Sequence, residues 1–188
     1  IGTLHSFCLR ILQENPVIAQ IDPDAQVLAE HRASAMISDS IMEGILENLD
    51  YQEVYDITRE MGIDRLAEEL RGILISRRNL GLNPFPPEED GSQEMVISLL
   101  LYKGFKIYQD KKRELGVIDF EDILQKTRDL LEGSPEVLKY YNNKIKYIMV
   151  DEYQDLNFVQ DDILRRLGET PNLFVVGDKK QSIYGFRG

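Results

Sequence analysis

The stretch YIMVDEYQDL, residues 147–156, decides how this chain is read. Tyr147, Ile148, Met149 and Val150 form an apolar run that ends on two adjacent carboxylates, Asp151 and Glu152. A carboxylate is costly to bury unless a partner offsets its charge. The run begins at IKYIMV and shows no polar alternation, so it is expected to be a strand covered on both faces. NFVQDDILRRL (157–167) follows with helical spacing. NLFVVG (172–177) is then a second apolar strand, between Pro171 and Gly177. Strand, helix and strand at this spacing predict parallel pairing.

Ligands of parallel sheets bind at the carboxyl ends of the strands, where Asp151 and Glu152 fall. Neighbouring side chains on an extended chain point to different sides, so one acid can face a divalent ion and the next a water molecule. The ordinary alternative is that both acids cap the helix at 157–167 or lie solvated in a turn. The second strand runs into VVGDKKQSIYGFRG (175–188). Here Gln181 could read a phosphate, Tyr184 and Phe186 could stack on bases, and Arg187 could hold a nucleic-acid backbone. The alternative there is a turn whose aromatics pack in the core.

Upstream, the pattern is helical. TLHSFCLRILQE (3–14) spaces Leu4, Phe7, Cys8, Ile11 and Leu12 on one face, with Thr3 as N-cap and Pro16 as terminator. Residues 30–49 carry Ile37, Ile41, Ile45 and Leu49 as a stripe, and shorter patterns follow at 51–60 and 63–78. NLGLNPFPPEEDGS (79–92) is a loop. A long helix over 93–115 ends in Lys111, Lys112 and Arg113 and is closed by Gly116. DFEDILQKTRDLLE (119–132) is another helix, with Asp119 as its cap.

The chain has 188 residues and a net charge of −11. Residues 16–91 hold six basic and sixteen acidic residues, so the acidity belongs to the middle and not to the ends. A broad phosphate-binding surface is not expected there, because phosphate neutralisation needs Lys and Arg. The basic stretch at 106–113 is the better candidate, with a solvated helix end as the alternative. The single Cys8 can form no internal disulfide and no apolar run is long enough to span a membrane. A cytoplasmic protein is the expectation, and no basic leader with an apolar core opens the chain.

Four segments together resemble the UvrD/Rep/PcrA-type superfamily 1 DNA helicases, including the related AddA/RecB branch. They are GTLHSFCLRIL near the start, VIDFEDIL (117–124), VDEYQD, and VVGDKKQSIYGFRG, in the family's order. Residues 16–115 match in placement and helical character. The resemblance implies an α/β fold: part of a RecA-like P-loop NTPase parallel sheet with an inserted all-helical subdomain. Residues 1–15 and 116–188 would belong to the ATPase domain and 16–115 to the insert.

Function follows from the same resemblance. It implies an ATP-dependent helicase or translocase, with ATP and Mg²⁺ as cofactors and single-stranded or duplex DNA as partner, in DNA repair or recombination. A nuclease or repair subunit is a further expected partner, and a membrane is not. Asp151 would hold Mg²⁺, Glu152 would orient and deprotonate the hydrolytic water, and Gln181 would sense the γ-phosphate. Thr3, His5, Tyr184, Phe186 and Arg187 would contact DNA, although the family often has Trp where this chain has Phe186. Tyr153, Gln154, Asp155 and Asp178 match the pattern with less defined roles. His5 also reads as a half-buried helix residue, and Asp119 and Phe120 as cap and core.

The sequence contains no G-x-x-x-x-G-K-[ST] loop, and it opens on Ile1 and stops at Gly188. It therefore reads as an internal fragment. The loop is expected upstream and a second motor domain downstream, so the fragment alone is expected to be inactive. Two rivals stand beside the helicase. One is a non-catalytic helical interaction module on a degenerate ATPase scaffold. The other is a Mg²⁺-dependent nuclease using the carboxylate pair, for which adjacent acids on one strand end make a poor two-metal cage.

Overall fold

Side-chain caps start α-helices at Thr3, Ser92 and Asn157 in this computed structural model, which describes residues 2–87, 92–168 and 173–178. In chain order the elements are α1 (Leu4–Glu14), α2 (Pro16–Ala19), β1 (Gln26–Val27), α3 (Glu30–Leu46), α4 (Gln52–Met61), α5 (Ile63–Asn79) and α6 (Gln93–Leu115). Then come β2 (Val117–Ile118), α7 (Phe120–Gly133), α8 (Pro135–Lys144), β3 (Ile148–Val150), a 3-10 turn (Tyr153–Asp155), α9 (Phe158–Leu167) and β4 (Leu173–Val175). The chain divides into two compact units.

Unit 1 comprises Ile1–Ala25, Asn79–Gly81 and Phe120–Gly188. The Thr3 hydroxyl caps α1 by accepting from the Ser6 amide at 3.2 Å. Cys8, Ile11 and Leu12 are buried on the α1 face that packs against α7. α7 also packs against α9. Asn157 and Gln160 form a reciprocal capping box at the start of α9, each side chain accepting from the other's backbone at 2.9 Å.

β3 and β4 pair in parallel, in the register Ile148↔Leu173, Met149↔Phe174 and Val150↔Val175. The expected cover on both faces is not found. Ile148 and Val150 are half-buried, but Met149 is 81% and Phe174 68% exposed. Alternation puts Tyr147, 77% exposed, on the same open face as Met149. An unbroken apolar run shows that both faces can be covered, and in unit 1 one of them is left bare among the described residues.

Unit 2 comprises Gln26–Arg78 and Leu82–Asp119. Its core joins Ile37, Ile41 and Ile45 of α3, Val54 and Ile57 of α4, Leu66, Leu70 and Leu74 of α5, and the apolar face of α6. α3 and α6 pack closely, with a glycine from each at the crossing. A Cβ on Gly44 would lie 3.0 Å from the Gly104 amide nitrogen, and one on Gly104 would lie 3.0 Å from the Ile41 Cα. Gly116 ends α6 in the left-handed region at φ 63°, the usual role of a glycine after a helix. The chain then enters β2, which pairs in parallel with β1.

Within the basic stretch 106–113, Lys106 and Arg113 are exposed, but Lys112 is not part of a solvated surface. Lys112 is 2% exposed and donates to Asp119 at 2.8 Å. Arg78 grips the same carboxylate with two bonds of 3.0 and 2.9 Å, and the Tyr108 hydroxyl donates to it at 2.5 Å. The Lys112 ammonium also lies 4.3 Å from the centre of the Tyr108 ring. Lys111 pairs with Glu43 and Arg113 with Asp110. Burial alone would push the Asp119 pKa up. The charges of Arg78 and Lys112, with their hydrogen bonds, outweigh that and hold it well below the usual carboxylate range.

Candidate nucleotide and nucleic-acid site

β3 delivers Asp151 and Glu152 to its carboxyl end, on the surface of unit 1. The chain does not run straight on. Glu152 sits in the left-handed region at φ 52° and ψ 43°, a conformation few residues other than glycine adopt. The bend is held from both sides. The Asp151 carboxylate accepts from the Glu152 amide at 3.0 Å through Oδ1. The Tyr153 amide donates to the Val176 carbonyl at 3.0 Å, and the Val176 amide donates to the Val150 carbonyl at 2.8 Å. The end of β4 is thus hydrogen-bonded to the turn that carries the two acids.

Side chains reinforce the turn. Gln154 Nε2 donates to Glu152 Oε2 at 2.5 Å, and Gln154 Oε1 accepts from the Asp178 amide at 3.0 Å. The Tyr153 hydroxyl bonds to Asp161 in the first turn of α9, and Asp161 pairs with Arg165 at 2.6 Å. That hydrogen bond to Asp161 is the main reason the Tyr153 pKa is raised.

The Asp151 side chain suits a hard divalent ion. One oxygen is engaged by the Glu152 amide, and the other carries no hydrogen bond among the described residues. A lone exposed carboxylate fits Mg²⁺, which keeps several waters and takes its remaining ligands from substrate phosphates. It does not make an all-protein cage. Among the described residues there is no group of three or more His, Cys, Asp or Glu placed to hold a metal.

Thr3 caps α1 and His5 lies in its first turn, away from the sheet in sequence. Thr3 is exposed and acts as the cap. His5 is half-buried and meets the edge of Phe120, ring centres 5.1 Å apart. Burial lowers its pKa, so at neutral pH the ring is uncharged. No hydrogen bond among the described residues joins Thr3 or His5 to Asp151 or Glu152. Gln181, Tyr184, Phe186 and Arg187 lie outside the described residues. Sequence reasoning left the Gln154 role open, and the signal that defines it is the close approach of Gly177. A Cβ there would stand 2.5 Å from Gln154 Oε1.

No helix among the described residues is long and apolar enough to cross a membrane. The profile of the UvrD/REP helicase N-terminal domain matches residues 1–188. The chain is 34% identical over 194 residues to the ATP-dependent DNA helicase PcrA of Staphylococcus epidermidis, an alignment covering all of this chain and 24% of that protein. It is 33% identical over 188 residues to PcrA of Staphylococcus aureus, again with all of this chain and 24% of the relative covered. The chain therefore spans about a quarter of the length of these curated relatives. On a match that runs its whole length, the chain belongs to the family of the UvrD/REP helicase N-terminal domain.

Proposed function

We propose that this chain forms part of an ATP-dependent DNA helicase motor and supplies the metal-and-water half of its nucleotide site. The observation that carries this is the placement of Asp151 and Glu152 at the carboxyl end of a parallel strand, exposed and held in a fixed bend. β3 and β4 would be two strands of a RecA-like sheet, and a further packed layer of the complete domain would cover the bare face of Met149 and Phe174. The helical insert expected at 16–115 would have its counterpart in unit 2, whose segments fall at 26–78 and 82–119, with 16–25 in unit 1.

In this reading Asp151 holds Mg²⁺, which when bound neutralises phosphate charge. Glu152 orients the attacking water and accepts its proton. Phosphoryl transfer leaves the protein little covalent chemistry to do, so position and electrostatics dominate. Gln181 senses the γ-phosphate. Tyr184 and Phe186 stack on single-stranded bases, Arg187 holds the backbone, and Thr3 with the neutral ring of His5 adds a second contact. Gln181 and Phe186 are five residues apart, so an element biased at the phosphate can bias the DNA platform as well.

The test is Glu152→Gln in the complete protein. ATP binding is expected to persist while steady-state hydrolysis falls by about 10²-fold or more, on the scale of losing a general base. Unchanged turnover would remove Glu152 from the reaction.

A further inference from the structure

Glu152 is exposed, and among the described residues its carboxylate has one hydrogen-bond partner, the amide of Gln154. An exposed glutamate with no anchor samples several rotamers, whereas a base must be held close to its target. The amide of Gln154 meets two different groups at once. Its Nε2 faces a carboxylate, which can only accept when ionised, and its Oε1 faces a backbone N–H, which can only donate. A single orientation of the amide satisfies both, so the side chain is fixed at both ends. The bond to Glu152 is charge-assisted, the stronger kind.

We propose that Gln154 is a positioning residue for Glu152, tethering its carboxylate to the Gly177–Asp178 turn at the end of β4. Gly177 lets the two segments close. Its absent Cβ would also lie 3.2 Å from the amide nitrogens of both Gln154 and Tyr153, so a side chain would push the turn off the tether. Backbone bonds between Tyr153, Val176 and Val150 already fix the two segments, and Gln154 extends that fixed frame to the one group that must be aimed. The inference rests on Glu152 acting at the nucleotide.

The experiment compares single-turnover ATP hydrolysis and ATP binding in the complete protein, with Mg²⁺ and an oligo-dT strand. Gln154→Leu has nearly the original volume and loses both bonds. Its rate is expected to fall about 10–100-fold, the scale of a misplaced reacting group, with KM for ATP nearly unchanged. Gln154→Glu retains the acceptor for Asp178 but sets a second carboxylate against Glu152, and is expected to fall as well. In a Glu152→Gln background, Gln154→Leu should add no further loss, because the two residues then act as one unit. A Gln154→Leu rate within about twofold of the original would overturn the proposal. So would losses that multiply with Glu152→Gln, or loss of ATP binding together with a lowered melting temperature, which marks a purely structural role. If Glu152→Gln itself leaves turnover intact, the assignment of the base fails first and the tether has nothing to position.

Discussion

Replacing Asp119 with Asn takes away the anion to which Arg78, Tyr108 and Lys112 all donate inside unit 2. Asp119 is 0% and Arg78 2% exposed, so the cations left behind cannot reach water without disturbing the core. Breaking a buried pair by removing one partner costs about 3–5 kcal/mol, and Asn, which keeps the shape and one acceptor oxygen, belongs at about 3. Urea unfolding followed by circular dichroism measures this as a shift of midpoint at constant slope. The same variant carries a pH signature. The folded-state pKa of Asp119 is depressed, so falling pH protonates the unfolded chain first. The stability that Asp119 contributes is complete above the unfolded carboxylate pKa of about 3.9 and is lost as pH drops further toward the folded value. The gap between original and variant should stay flat from about pH 7 to 5 and close below about pH 4. A loss under about 1 kcal/mol at neutral pH, or a gap indifferent to acid, would refute the view that this carboxylate neutralises buried cations.

Gly104→Ala places a methyl 3.0 Å from Ile41 Cα and Cγ1, and should lower stability by about 1–3 kcal/mol in the same unfolding assay. An unchanged midpoint would mean that α3 and α6 can separate freely. Burial pushes the Cys8 thiol up to about 12, so at pH 8 it should react with a thiol reagent only as unfolding exposes it, and a fast reaction in native buffer would contradict its burial. Phe186→Ala in the complete protein should weaken single-strand binding by about 1–3 kcal/mol, read from titration at fixed salt. Unaltered affinity would return Phe186 to a packing role.

The sequence made visible whatever depends on local spacing. Cys8, Ile11 and Leu12 show the face of α1, and the helical spacing of 157–167 shows α9. The parallel pairing of β3 with β4 followed from the helix between two apolar runs. α8 was not read from the sequence, since it buries only Val137 and Tyr141, too few to raise a periodic pattern. β1 and β2 are two residues each, below any pattern, and exist because Gly116 and Ile118 offer carbonyls to Gln26 and Leu28. Lys112 misled for a different reason. A Lys-Lys-Arg run at a helix end has the look of a solvated surface, and only Arg78, which lies 41 residues from Asp119, reveals that a buried carboxylate waits for it. At the candidate site the acids could be placed on a strand end from the sequence. The tether through Gln154 could not, since it depends on the β4 turn arriving within hydrogen-bond distance.

The pairing of β1 with β2 has an effect beyond a few hydrogen bonds. Gln26 opens unit 2 and Asp119 closes it, and the two-residue ladder sets these ends side by side. The second boundary is drawn to the same place, because Arg78, the last residue before the chain leaves, is clasped to Asp119. A segment whose entrance and exit touch can be spliced into a host loop, lengthened or deleted without forcing the host's cut ends apart. Its fastening travels with it, so exchange between related proteins demands no new joint, only two neighbouring points at which to stitch.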